Sequence, residues 1–204
     1  MKLYYSPGAC SLAAHIALRM TGVEFEIEKV DTQTKTTASG ADYTRINPKG
    51  YVPALQLRSG DVLTEAPAVL QYIADRNPAA ALAPASATLE RARLQEHLNF
   101  VSSELHKAFK PFFAGTPIAD NARPAAEDVI AKRMVHIEAL LTDGRMHLVG
   151  NTVSVADLYL FVVANWCNFI GIDLGQWPNV AAFVERMAAL PAVREAMTAE
   201  GLIH

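Results

Sequence analysis

Cys10 follows the short apolar run Lys2-Leu3-Tyr4-Tyr5 and the turn-forming Ser6-Pro7-Gly8-Ala9, and it precedes an amphipathic run that begins Ser11-Leu12-Ala13. That order puts a lone thiol at the mouth of a helix, where unpaired backbone N–H groups and the positive end of the helix dipole favour thiolate over thiol. The expectation is a nucleophile or redox group with a depressed pKa; the alternative is a small packed side chain. A second set, Asn99, Ser103, His106, Lys110 and Phe113, is spaced four, three, four and three apart, which places it on one helical face. Such a stripe suits the wall of a cleft with one titratable imidazole, against the alternative of a solvated face. Asn47-Pro48-Lys49-Gly50-Tyr51-Val52-Pro53 comes just before a strand. Were the bond at Pro53 cis, the Val52 N–H and carbonyl would face out of the sheet edge, where an extended peptide pairs by strand addition; the alternative is an ordinary trans-Pro loop, since most X–Pro bonds are trans. Thr64-Glu65-Ala66-Pro67 leads from strand to helix. Free N–H groups there accept a carboxylate and Glu65 accepts an ammonium, so the pair suits a ligand with both an α-amino and an α-carboxyl group. The competing role for Glu65 is complementing the helix dipole.

Positioning these groups falls to two kinds of chain. Leu3–Tyr5 reads as a strand, His15–Met20 as a helix closed by Gly22, and Phe25–Val30 alternates like a strand. Val52–Leu57 and Val62-Leu63 bracket Arg58-Ser59-Gly60-Asp61, a hairpin signature. A helix carrying Val69, Leu70 and Ile73 follows and ends near Asn77-Pro78. The order βαβ, then a loop-rich segment, then ββα implies a small mixed sheet with helices packed on it. Beyond the small-residue linker Ala79–Ala87 no convincing strand follows. Leu94, Leu98, Val101, Leu105 and Phe112 predict one long helix; Val129, Met134, Ile137, Leu140 and Leu141 predict another. Ser154-Val155-Ala156-Asp157 reads as a capping box stapled by Val153 and Leu158, with a structural role. Its helix runs to about Ile170 and carries Cys167 as core, and short helices follow around Val180–Ala188 and Ala192–Ala199. The expected organisation is an α/β domain over residues 1–80 and an all-helical domain over 87–204.

Composition narrows the function classes. A chain of 204 residues makes one large or two small domains with a sizeable core. A net charge of −3 without a polybasic tract argues against nucleic-acid or anionic-membrane partners. Apolar stretches such as Leu158–Ala164 are too short to span a bilayer. The N-terminus is strand-like rather than signal-like. Cys10 and Cys167 make neither a CxxC nor a disulfide framework, which points to a reducing cytoplasm.

The βαβ–ββα order, Val52-Pro53 before the third strand, Glu65 at the next helix start and the appended helices resemble the cytosolic glutathione transferases across essentially the whole chain. Ser6-Pro7-Gly8-Ala9-Cys10-Ser11-Leu12 with His106 on the long helix is similar to the bacterial beta class. The resemblance implies a thioredoxin-like N-terminal domain that binds glutathione and an all-α C-terminal domain that supplies the electrophile pocket. It implies Cys10 beside the glutathione sulfur, helped by His106, with Val52 pairing its backbone to the cysteinyl part and Pro53 as a cis-proline. Glu65 and the Ala66 N–H would hold the γ-glutamyl group, and Lys35 would meet the glycyl carboxylate. Asn99 and the turn Ser103, Glu104, Leu105, His106 would close the site. Many relatives carry serine where this chain has Ala66, which implies weaker binding. Tyr5, Phe109, Phe113 and Trp166 would line the electrophile pocket, and Tyr5 or Ser11 would be further donors to the sulfur.

The implied activity is attack of the glutathione thiolate on hydrophobic electrophiles, a detoxifying conjugation. Dehalogenation and thiol–disulfide exchange through a mixed disulfide at Cys10 are close variants. Glutathione is then a co-substrate, with no other cofactor and no metal. A cytoplasmic homodimer is implied, with Arg91 and its neighbours near the contact. A reading from a different class is a non-catalytic carrier of hydrophobic ligands, or an interaction module, on the same fold.

Overall fold

Leu3, Tyr4 and Tyr5 are all buried, as residues on both faces of a central strand must be. Their strand, β1 (Lys2–Tyr5), pairs in parallel with β2 (Glu26–Asp31) and antiparallel with β4 (Ala54–Gln56). The two-residue β3 (Thr36–Thr37) joins β2, and β5 (Val62–Thr64) joins β4, so the order is β3-β2-β1-β4-β5. Leu3 stands opposite both Ile27 and Leu55, and Leu55 opposite Leu63, so an apolar row crosses the sheet. This structure, a computed structural model, describes residues 1–203.

Helix α1 (Ser11–Thr21) is buried from Ser11 through Leu18, because α2 (Ala66–Arg76) and α8 (Pro191–Ala199) pack on it. It ends at Gly22, whose N–H returns to the Arg19 carbonyl. The βαβ–ββα order is therefore realised, with β3 added; two residues carry no detectable period. One expectation needs correction. β4 lies between β1 and β5, so Val52 precedes an interior strand rather than an edge strand, its own backbone standing ahead of a ladder that runs only over Ala54–Gln56.

The chain forms two compact units, Met1–Ala83 with the stretch from Ala189 on, and Pro84–Ala188. Helix α8, which the sequence groups with the helical half, thus belongs with the sheet: Val193 and Ala196 are fully buried and the helix packs on α1.

The second unit holds α3 (Leu89–Phe100), a π turn at Val101–Leu105, α4 (His106–Ala108), α5 (Arg123–Leu141), α6 (Val155–Ile170) and α7 (Pro178–Ala188). Val155 through Ala164, Trp166 and Cys167 of α6 are buried, as befits a helix that is hydrophobic nearly all round. Its capping box is built as expected. Asp157 Oδ2 accepts from the Ser154 N–H at 2.8 Å and hydroxyl at 2.6 Å, and Oδ1 accepts from the Leu148 N–H at 2.7 Å.

Two sequence expectations fail here for physical reasons. The single long helix is interrupted: the His106 N–H bonds to the Val101 carbonyl five residues back, which widens one turn. Lys110 and Phe113 then lie in a separate 3₁₀ turn at Lys110–Phe113, so the stripe from Asn99 to Phe113 is not one face. On α5 the buried stripe is Ala126, Ile130, Met134, Ile137 and Leu141, leaving Val129 exposed. Arg91, expected with its neighbours near a subunit contact, is itself buried within its own unit and donates to the Pro84 carbonyl at 3.2 Å, whereas its neighbours Glu90, Ala92 and Arg93 are exposed.

Asp157→Ala strands three donors in the core and should cost about 3 kcal/mol. Urea denaturation followed by helical circular dichroism checks this, with the midpoint falling and the slope unchanged.

Candidate functional site

The turn ahead of Cys10 is tied at both ends. Ser11 Oγ accepts from the Ser6 N–H at 3.2 Å and donates to the Ser6 carbonyl at 3.3 Å. Gly8 sits at φ 70°, a conformation that suits glycine, and donates its N–H to Glu200 Oε2 at 3.0 Å. Glu200 Oε1 lies 2.9 Å from His15 Nδ1, and His15 Nε2 accepts from Arg19 Nε at 3.1 Å. A guanidinium only donates, so Nε2 carries the lone pair and the proton sits on Nδ1, aimed at Glu200. His15 and the Glu200 side chain are wholly buried. Ser11 has spent its hydroxyl on Ser6 and is not a free donor for a ligand sulfur, contrary to the sequence expectation.

Cys10 occupies the N-cap of α1 and is 8% exposed, with Sγ 3.4 Å from the Val52 carbonyl. Burial pushes the thiol up to about 12, although the N–H groups of Cys10 and Ser11 pull it down. The expected depression is therefore corrected. The helix terminus acts as anticipated, but desolvation outweighs it. Cys10 is a protonated thiol whose hydrogen points at Val52. Cys167 is fully buried and its thiol is likewise pushed up to about 12 by burial.

Val52 is presented by a braced loop. The Tyr51 carbonyl accepts from Asn47 Nδ2 at 2.6 Å and from the Tyr43 hydroxyl at 3.0 Å, and the Val52–Pro53 bond is cis. Lys35 Nζ donates to the Gly50 carbonyl at 2.7 Å. A Cβ on Gly50 would come within 3.2 Å of the Lys35 chain, so the bare backbone lets the lysine cross. Glu65 precedes α2 at φ 69°, and the buried Ala66 and then Pro67 open the helix, a helix N-terminus being the kind of place that takes a carboxylate. Glu65 Oε1 accepts from Lys49 Nζ at 2.5 Å and the Tyr51 hydroxyl at 2.6 Å, and these two donors hold its carboxyl below the usual range. Tyr5 lies in β1 with its ring 6.1 Å from that of His15.

In the second unit, His106 follows the π turn and its Nδ1 is 2.9 Å from the Tyr159 hydroxyl. Burial, helped by neighbouring Lys107, pushes the imidazole down to about 4, so it is neutral at pH 7 and supplies no full charge. Its ring stands edge-on to Trp166 at 4.7 Å, and Phe109 and Phe113 meet the same indole at 5.4 and 5.1 Å. Asn99 and Ser103 are exposed, Glu104 pairs with Arg133 at 3.1 Å, and Leu105 is fully buried, which leaves it only its backbone for a ligand. The described residues include no group of three or more His, Cys, Asp or Glu placed to hold a metal ion.

Known proteins share this arrangement. Family profiles described as glutathione S-transferase, N-terminal domain and C-terminal domain match residues 1–75 and 93–191. Glutathione S-transferase GstA of Escherichia coli O157:H7 is 40% identical over 203 residues, covering 99% of this chain and all of that protein. The chain belongs to the glutathione S-transferase family. A bacterial beta class glutathione S-transferase from Sphingomonas chungbukensis superposes with a TM-score of 0.95 at 49% identity, over the full length of both chains. A sphingomonad glutathione S-transferase complexed with glutathione gives 0.93 at 49% identity, again over both full chains.

Within this glutathione S-transferase fold the first unit assembles Cys10, Val52, Pro53, Lys35 and Gly50 through direct bonds, and sets Glu65 and Ala66 at the start of α2. The second unit assembles His106 with Phe109, Phe113 and Trp166. Sequence reasoning missed Lys49, Tyr51, Tyr159, His15 and Glu200. Lys49 and Tyr51 stand inside the Asn47–Pro53 motif, which was the available signal; Glu200 left none, because its partners are 185 and 192 residues away.

Two outcomes follow from this geometry. Alkylation of Cys10 should be slow at neutral pH and rise about tenfold per pH unit from 7 to 10 without a plateau, because the thiolate fraction keeps growing below a pKa of about 12. Glu200→Ala removes a buried acceptor from Gly8 and His15 and should cost about 3–5 kcal/mol in denaturant unfolding, with faster Cys10 alkylation as the turn loosens.

Proposed function

We propose that this protein is a glutathione transferase that conjugates the glutathione thiolate to hydrophobic electrophiles. The observation that carries the reading is the set built on one unit: a backbone at Val52 bonded to a protonated thiol, a carboxylate at Glu65 kept ionised, and an ammonium at Lys35. Each matches one part of glutathione. The cysteinyl segment pairs with the Val52 backbone, and the γ-glutamyl ammonium meets Glu65. Its α-carboxylate takes the N–H of Ala66, and the glycyl carboxylate takes Lys35.

A buried thiol held against the Val52 carbonyl supports a donor's part for Cys10. When the ligand binds, the Cys10 S–H turns from the Val52 carbonyl to the ligand sulfur, and with the α1 terminus it stabilises the ligand as thiolate while the ligand's own proton leaves to solvent. The thiolate then forms a C–S bond to the electrophilic carbon while the bond from that carbon to its leaving group breaks, halide departing to solvent when the electrophile is an aryl halide. Within the second unit, His106 is neutral and hydrogen-bonded at Nδ1 to Tyr159, so it offers a hydrogen bond rather than a charge. Phe109, Phe113 and Trp166 meet one another within the second unit and form an apolar surface of the kind that takes a hydrophobic electrophile. Exchange through a mixed disulfide needs the Cys10 thiolate, which burial disfavours. The carrier or interaction-module alternative is not favoured by the family to which the chain belongs.

We further assign the protein to the cytoplasm as a homodimer, the commonest closed assembly. Among the described residues no helix is long and apolar enough to cross a membrane.

Turnover of a generic aryl halide with glutathione tests the activity. Cys10→Ala should keep conjugation within about tenfold of wild type, since one neutral hydrogen bond to the sulfur is lost, and should abolish a glutathione mixed disulfide seen by mass spectrometry. Glu65→Gln should raise the glutathione Kd about tenfold to a hundredfold in calorimetry, the worth of a charged hydrogen bond. Equal affinity for Glu65→Gln and wild type would remove the γ-glutamyl assignment.

A further inference from the structure

Lys49 Nζ and the Tyr51 hydroxyl both bind the same oxygen of Glu65, Oε1, at 2.5 and 2.6 Å. Oε2 takes no hydrogen bond from any described residue. Lys49 Nζ also reaches Thr64 Oγ1 at 3.1 Å and stands 5.9 Å from the Tyr51 ring centre, so the donors brace one another. The loop that delivers them is fixed by Asn47 and Tyr43 on the Tyr51 carbonyl. The carboxylate they engage stems from a backbone at φ 69° and ψ 116°, which a non-glycine residue keeps only when its surroundings hold it.

Stability does not account for this cluster. Glu65 and Lys49 side chains are 51% and 46% exposed, and ion pairs so open to water contribute little to folding. Ordering three long side chains for that return is unfavourable unless the order itself has a use. We propose that Lys49 and Tyr51 are positioning residues that hold Glu65 by Oε1 and present Oε2 to the ammonium of an amino-acid ligand, setting a preference for ligands that carry that ammonium. The proposal rests on the glutathione reading above. Lys49 does not repel such a ligand as a whole, because the amino-acid head brings a carboxylate with its ammonium and is net neutral. The same two donors keep Glu65 ionised, Lys49 first and Tyr51 second. Removing either raises the carboxyl pKa, so loss of binding on acidification moves to higher pH.

The test uses calorimetry at pH 7 with glutathione and with its glutaryl analogue, in which hydrogen replaces the amino group. Wild type should prefer glutathione by at least about tenfold, and Tyr51→Phe and Lys49→Met should each cut that ratio at least about threefold with unchanged melting temperatures. In a Glu65→Gln background the ratio should be near one and neither substitution should lower it further. A ratio unchanged in both single variants, or cut equally with Glu65→Gln present, overturns the positioning role. Failure of wild type to bind glutathione at all would instead remove the function on which this rests.

Discussion

Glu200 reaches 192 residues back along the chain to the Gly8 N–H and 185 back to His15, with no exposure of its own side chain. In so dry a setting each of these donors would cost far more unpaired than it gains when paired, so the contact is close to all-or-none. The His15 proton is placed by its neighbours: Arg19 claims the lone pair on Nε2, which forces Nδ1 to donate to the carboxylate. The consequence is topological. The stretch from Ala189 on must be in place before the turn that carries Cys10 is complete, and this is why that stretch belongs with the sheet rather than with the other helices.

Burial then fixes the protonation states. The Cys10 thiol rises from its ordinary 9.0 to about 12 even after the N–H groups of Cys10 and Ser11 have pulled it down, so desolvation outweighs the helix terminus. The arrangement at Cys10 is thus a donor thiol in a site that attracts a different thiolate, the ligand's. His106 obeys the same rule with opposite charge: burial pushes it down to about 4 and leaves a neutral ring among aromatic edges.

Periodicity and turn chemistry made most of the fold legible. The strand and helix order, Gly22 as a stop, the Arg58–Asp61 hairpin and the Ser154–Asp157 box are local devices, each written within a few residues. What escaped was non-local or irregular. A π turn changes the period in five residues and leaves no compositional mark, so the stripe from Asn99 to Phe113 looked continuous. Whether a thiol at a helix mouth is wet or dry depends on what packs over it, here Val52 from 42 residues away. In the candidate site Cys10, Lys35, Val52, Pro53 and Glu65 were legible from the residues and a resemblance, while the groups that hold them were not.

Two glutamates show how the same side chain takes different work from its surroundings. Glu200, enclosed, has both oxygens committed to protein donors, one each to Gly8 and His15, and its task is to keep a turn closed. Glu65, half open to water, has both protein donors on one oxygen and leaves the other uncommitted. Were Glu65 buried as deeply, an unmatched oxygen would be a heavy penalty in the free protein. Were Glu200 as exposed, its bonds would be worth too little to hold the C-terminal stretch. Partial exposure is therefore the condition that lets a carboxylate be held in place by its neighbours and still be available to a cation from outside.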